Sequence, residues 1–248
     1  MKLSLKNLGG RLCNHFFRDI AIHLIAMKYN LDVEYSCEEE FNKLGLIFFK
    51  GSKNYDTTKQ TLYINDSNYM DIYNKLYEDK NIMIDSQNSN YFQTIEISKI
   101  IFDYVNREEI KEKIIEMNKY KERYNANDDV FIHVRLGDVE QHTHGFEYYD
   151  RALSQIVFKN GYISSDTINH NMCQELIKKY NLNIFQNNEI ETIMFANTCK
   201  YIVLSHGTFS HVSSLFSYYT DKIFYPNYNH VWANNILIHP NRISIDKI

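Results

Sequence analysis

The chain has 248 residues, 44% of them hydrophobic, enough for one large domain or two small ones with ordinary cores. Its formal net charge of −4 argues against a general nucleic-acid binder, which carries a basic face, but leaves room for a local basic site that takes a small diphosphate. Two prolines and eight glycines are too few for collagen-like or linker-rich architectures.

Residues 2–6 (KLSLK) alternate and predict a short strand, with Leu8-Gly9-Gly10 as the turn after it. Leu12, Phe16, Ile20 and Leu24 recur every four residues beside Phe17, Ala21 and Ile25, which predicts a helix with a broad apolar face. Leu31 to Tyr35 reads as the next strand, so the chain opens as an α/β unit. Residues 40–90 mix short apolar pieces with Asn, Asp, Ser and Lys and give no clear pattern. A helical period returns from Ile95 to about Tyr124, its second half densely charged as on a solvated face. Asn125 to Asp129 (NANDD) is the expected linker.

A second α/β block follows. Strands are expected at Val130–Val134, Gly161–Ser164, Asn183–Phe185, Tyr201–Leu204 and Ile223–Tyr225, the last closing the series. Helices are expected at Tyr149–Phe158, His170–Tyr180, Glu189–Cys199 and Thr208–Tyr218. Two small α/β halves, 1–125 and 126–248, would hold a ligand in a cleft at the carboxyl ends of their strands.

The N-terminal MKLSLKNLGG lacks the apolar run of a signal peptide, and Ile20 to Met27 is too short to span a bilayer. Cys13, Cys37, Cys173 and Cys199 form no CxxC pair and fit reduced thiols. A cytoplasmic protein is expected, with attachment to a membrane surface left open.

Three junctions carry chemistry. In His133-Val134-Arg135-Leu136-Gly137-Asp138 an apolar strand runs into an Arg and a Gly turn. A guanidinium there suits two phosphate oxygens, and the plainer alternative is an ion pair of Arg135 with Asp138. In Ser205-His206-Gly207-Thr208-Phe209-Ser210 a strand, a Gly turn and a helix start follow directly, and a helix N-terminus attracts anions. Thr208 as a simple N-cap is the alternative there. Gly9-Gly10-Arg11-Leu12-Cys13-Asn14-His15 is the third junction, without the GxGxxG of a dinucleotide site. His142-Thr143-His144 lacks the partners of a metal site, and no metal is expected.

These pieces together resemble the α1,2- and α1,6-fucosyltransferases and protein O-fucosyltransferases, with glycosyltransferase family 11 the nearest in pattern. HVRLGD resembles their HxRRxD motif, and GGRLCNHFFRDIAIHLIA their Gly-rich opening and first helix. Tyr91-Phe92-Gln93-Thr94 resembles the YFQS segment, Tyr162-Ile163-Ser164-Ser165-Asp166 the strand ending in SDD, and SHGTFSHVSSLFS the S-x-STFSWWGAWL segment, all in the same order. Leu136 stands in place of the second Arg, Cys13 where a Gly is common, and His211-Val212 in place of the Trp pair.

The resemblance implies a GT-B-like fold of two small Rossmann-like domains facing a cleft. The C-terminal domain would hold the nucleotide sugar and the N-terminal one the acceptor side. It implies inverting transfer of fucose from GDP-fucose, a co-substrate, to a glycan acceptor, with no metal or other cofactor. Arg135 would bind the donor diphosphate as the catalytic residue, His133 would lie beside the nucleotide, and Asp166 near the guanine. Thr208, Phe209 and Ser210 would form the phosphate turn, and Gly10, Arg11 and Asn14 would face the transferred sugar. The base stays open among Glu140, His142, His144 and Glu147. Another nucleotide sugar, a binding protein without turnover, and a purely structural α/β protein are the competing readings.

Overall fold

The computed structural model describes residues 3–6, 8–53, 55–85, 90–137, 144–227 and 239–246. The chain divides into two compact units, Met1–Ile110 and Lys111–Ile248. The division falls ahead of NANDD, and hydrogen bonds explain why. Asn118 Nδ2 donates to Met194 O at 2.8 Å, Arg123 pairs with Asp129 at 2.8 Å, and Asn127 Nδ2 donates to Thr198 O at 2.9 Å. The segment expected as a linker is thus fastened into the second unit.

In the first unit, β1 (Leu3–Ser4) pairs in parallel with β2 (Val33–Glu34), and β3 (Gln60–Ile64) with β4 (Lys80–Ile84). Helix α1 (Leu12–Tyr29) joins the first pair, with α2 (Glu38–Lys43), α3 (Tyr69–Asn74) and α4 (Ile95–Val105) further on. The described residues of this unit show two two-stranded pairs rather than one Rossmann-like sheet. Between the pairs, side chains take up much of the backbone: Phe49 N–H donates to His23 Nδ1 (2.8 Å), Tyr35 Oη–H to Phe49 O (2.7 Å) and Asp56 N–H to Asn81 Oδ1 (2.9 Å). The long helical pattern from Ile95 breaks after α4, where Asn106 Nδ2 donates back to Phe102 O at 2.8 Å; α5 (Glu108–Met117) then begins afresh.

The second unit carries one sheet of parallel strands, β5 (Val130–Val134), β6 (Gly161–Ser165), β7 (Asn183–Ile184), β8 (Tyr201–Val203), β9 (Lys222–Asn227) and β10 (Arg242–Asp246), in the order β10-β9-β8-β5-β6-β7. Strand β10 was not anticipated: RISID adds beyond the strand expected to close the series. The chain builds outward from β5 through α6 (Phe146–Leu153) and α7 (Asn171–Tyr180), then returns through α8 (Glu189–Ala196) to lay β8 on β5's other side. From there it passes through α9 (Thr208–Leu215) to β9. That is the doubly wound order, with its reversal between β5 and β8. Every residue of β5 is buried, and its side chains alternate between faces. Val130, Ile132 and Val134 pack with Tyr149, Cys173 and Leu176; Phe131 packs with Phe195, Cys199 and Ile202. Among the described residues, no helix is long and apolar enough to cross a membrane.

Candidate functional site

In a doubly wound sheet, ligands bind outside the carboxyl ends of the strands where the order reverses. Here the strands are β5, which runs into Arg135-Leu136-Gly137, and β8, which runs into Ser205-His206-Gly207 and the start of α9.

Period two sets His133 on the same face of β5 as Phe131, under α9. Its Nδ1 shares a 2.7 Å hydrogen bond with Ser210 Oγ, and its ring lies 4.7 Å from that of Phe209. Ser210 Oγ also accepts from Ser205 N–H at 3.1 Å. Burial above all holds the His133 pKa down to about 3, helped by Arg135 and His206 and opposed by Asp166. The imidazole is neutral at physiological pH.

The backbone leaving β5 is held from both sides. Arg135 N–H donates to Ser205 Oγ at 3.2 Å, and Leu136 N–H donates to Asp166 Oδ1 at 3.0 Å. Ser205 follows β8 and Asp166 follows β6, so two side chains extend the ladder past its last backbone rungs. The Arg135 side chain crosses to the other junction, where a Cβ on Gly207 would stand 2.5 Å from Arg135 Nη1. Gly207 has φ 101° and ψ 161° and is itself the N-cap of α9, with no side chain capping the helix. Thr208 is therefore the first helical residue, not the cap. With Ser210 Oγ committed inward, this turn offers an anion its backbone N–H groups, beside a guanidinium.

Two further residues, with no sequence signal, secure the crevice. Tyr148 Oη–H donates to Leu204 O at 2.7 Å and Tyr149 Oη–H to His133 O at 3.4 Å, so adjacent tyrosines of α6 tie the ends of β8 and β5. His144 is buried with its ring 5.3 Å from that of Tyr148, and Glu147 is exposed on α6. Asp138, Glu140, His142 and Thr143 lie outside the described residues.

In the first unit, Gly10 has φ 127°, and a Cβ there would stand 3.0 Å from Asn14 Cβ and 3.2 Å from Tyr91 Cε1. Exposed Arg11 is the N-cap residue of α1, and Asn14 Oδ1 accepts from Gln93 Nε2 at 3.0 Å, which joins the two first-unit segments of the resemblance. Arg18, which the sequence reading passed over, organises this corner. It is 2% exposed and donates from Nη2 to Gly9 O (3.0 Å) and from Nε to Asn90 O (3.1 Å). The sequence signal was an Arg-Asp pair inside an otherwise apolar helical stretch.

A cavity of about 480 Å³ opens at the amino ends of β5 and β8, among Asn125, Asp128, Thr198, Lys200, Tyr219 and Asp221. Its Lys200 already pairs with Asp128 at 2.6 Å, so an anion gains little there.

Comparison with models of known protein families gives no match, and comparison with curated proteins gives none either.

Proposed function

We propose that the second unit binds the diphosphate of a nucleotide sugar at the β5/β8 reversal, and that the protein is a fucosyltransferase-like glycosyltransferase. GDP-fucose is the donor the resemblance names, and a glycan the acceptor. The observation that carries the reading is Arg135 lying against Gly207 at the uncapped start of α9, where a doubly wound sheet takes its ligand.

In such a reaction the bond from the sugar's anomeric carbon to the diphosphate oxygen breaks. An acceptor hydroxyl oxygen bonds to the opposite face of that carbon, and its proton passes to a base. Negative charge grows on the departing diphosphate. A forked guanidinium and aligned backbone N–H groups stabilise that charge more in the transition state than in the ground state. Arg135 and the first turn of α9 supply both, so divalent metal is not called upon. Neutral His133 adds no charge and keeps Ser210 and Phe209 in place.

Turnover and melting temperature measured on one variant test the assignment. Arg135→Ala should lower donor turnover about 100- to 1,000-fold while the protein stays folded. Arg135→Lys should recover little, because an ammonium cannot reproduce the planar fork. EDTA should leave wild-type turnover unchanged. Near-normal turnover from folded Arg135→Ala would remove the site.

A further inference from the structure

We infer that Asp166 is a positioning residue that sets the Arg135 loop, rather than a reader of the nucleotide base. The inference rests on the diphosphate reading above and changes the part Asp166 plays in it. In the parallel pair β5/β6 the last register partners are Val134 and Ser165. The next residues, Arg135 and Asp166, have left the ladder, yet Leu136 N–H still finds an acceptor on this side in Asp166 Oδ1, at 3.0 Å. Thr167 Oγ–H donates to the same oxygen at 3.3 Å.

The second carboxylate oxygen is also placed. A Cβ on Gly137 would stand 2.6 Å from Asp166 Oδ2, so glycine leaves the carboxylate room to lie against the loop backbone. Ser205 Oγ holds the preceding amide, that of Arg135, from the β8 side. The two amides that flank the Arg135 Cα are thus held from opposite neighbours, which fixes the base of the side chain that reaches Gly207. A base reader needs both carboxylate oxygens for the two adjacent N–H groups of guanine; Oδ1 already accepts from Leu136 N–H and Thr167 Oγ–H, which takes up both its lone pairs.

Binding of GDP and of inorganic pyrophosphate by calorimetry, with the melting temperature of each variant, separates the two roles. Asp166→Ala should weaken both ligands by about tenfold, the value of one hydrogen bond to a charged acceptor. Asp166→Asn keeps an acceptor oxygen for Leu136 N–H, and a neutral acceptor is about half as strong, so the loss should shrink to about threefold. Gly137→Ala, which displaces the carboxylate without removing its charge, should weaken GDP as Asp166→Ala does, and it stands in if that variant does not fold. A loss confined to GDP and as large in Asp166→Asn as in Asp166→Ala would overturn the inference in favour of base reading. That comparison decides on GDP alone if pyrophosphate binds too weakly to measure. Unchanged affinity in both Asp166→Ala and Gly137→Ala would also overturn it. A wild-type protein that binds neither ligand would instead bring down the diphosphate reading, and this inference with it.

Discussion

Gly207 shows how one backbone position joins conformation to chemistry. With φ 101° and ψ 161° it occupies a region open essentially to glycine, and an L side chain there costs about 1–3 kcal/mol of strain. The same Cβ would meet Arg135 Nη1, which can move aside because it ends a flexible side chain. Gly207→Ala should therefore do two things at once. The strain should lower the melting temperature by roughly 2–4 °C per kcal/mol. The displaced guanidinium should lower donor turnover further than the stability loss explains. A scan and a turnover assay on the same preparation check this. Unchanged turnover from the folded variant would mean that Arg135 does its work, if any, from another position.

Among the elements, α6 makes the most specific claim. Its first turn places Tyr148 and Tyr149 side by side, and their hydroxyls fall on carbonyls of different strands, Leu204 O and His133 O. Tyr148→Phe removes a 2.7 Å bond from a buried acceptor and should cost about 1 kcal/mol. Tyr149→Phe removes a 3.4 Å bond, longer than a good one, and should cost less. If the pair sets the crevice, donor affinity should fall in the same rank order. Equal effects of the two substitutions on affinity would sink that account.

How far these elements were legible depends on where their signals lie. The second unit's first five strands were readable because Val130–Val134 and Tyr201–Val203 are short apolar runs bounded by turn residues; its helices were found too, except that α6 begins and ends earlier, at Phe146–Leu153, than the expected Tyr149–Phe158. Both halves of its crevice were readable as strand–glycine junctions. Strand β10 was missed because RISID stands alone, its apolar face reduced to Ile243 and Ile245. The break between α4 and α5 was missed because a side chain, Asn106, caps the first helix without disturbing the apolar period. The tyrosine clips left no trace, since two aromatics on an amphipathic helix are what any core would show. In the first unit β1 and β2 lie within the strands expected at 2–6 and 31–35, whereas β3 and β4 fall in the stretch that gave no pattern; between the pairs the backbone of Phe49 and Asp56 is held by Tyr35, His23 and Asn81, and such bonds have no period.

For the molecule as a whole, buried ionisable groups set opposing responses to pH. His23 accepts from Phe49 N–H at Nδ1, so its Nε2 carries the proton and donates to Tyr104 Oη at 2.8 Å. Burial lowers its pKa to about 4, as it lowers those of His133 to about 3 and His239 to about 4. Lowered folded values mean stability that is present above the unfolded value near 6.5 and lost as pH falls toward 4 and below. Asp19 works the other way. Burial raises its pKa to about 7, against hydrogen bonds from Cys37 N–H and Ser36 N–H and the charge of Arg18. Its contribution is present below an unfolded value near 3.9 and is lost as pH rises through about 7. Asp19 therefore opposes the histidines between pH 4 and 7: urea midpoints should climb over that interval and level off above it, and Asp19→Asn should make the climb steeper. An unchanged slope in Asp19→Asn would mean that the Asp19 carboxyl is not the group being titrated.

The position of β5 also has a consequence in time. Its neighbours β6 and β8 both come later in the chain, and β8 only after three more helices. During synthesis VFIHV must wait with one edge open, an uncharged, β-rich segment of the kind that pairs with other chains. The strand that presents Arg135 is thus the one most exposed to mispairing before the fold closes over it. The interval ends when Tyr201–Val203 emerges and lies down beside it, and the crevice comes into being in that same step.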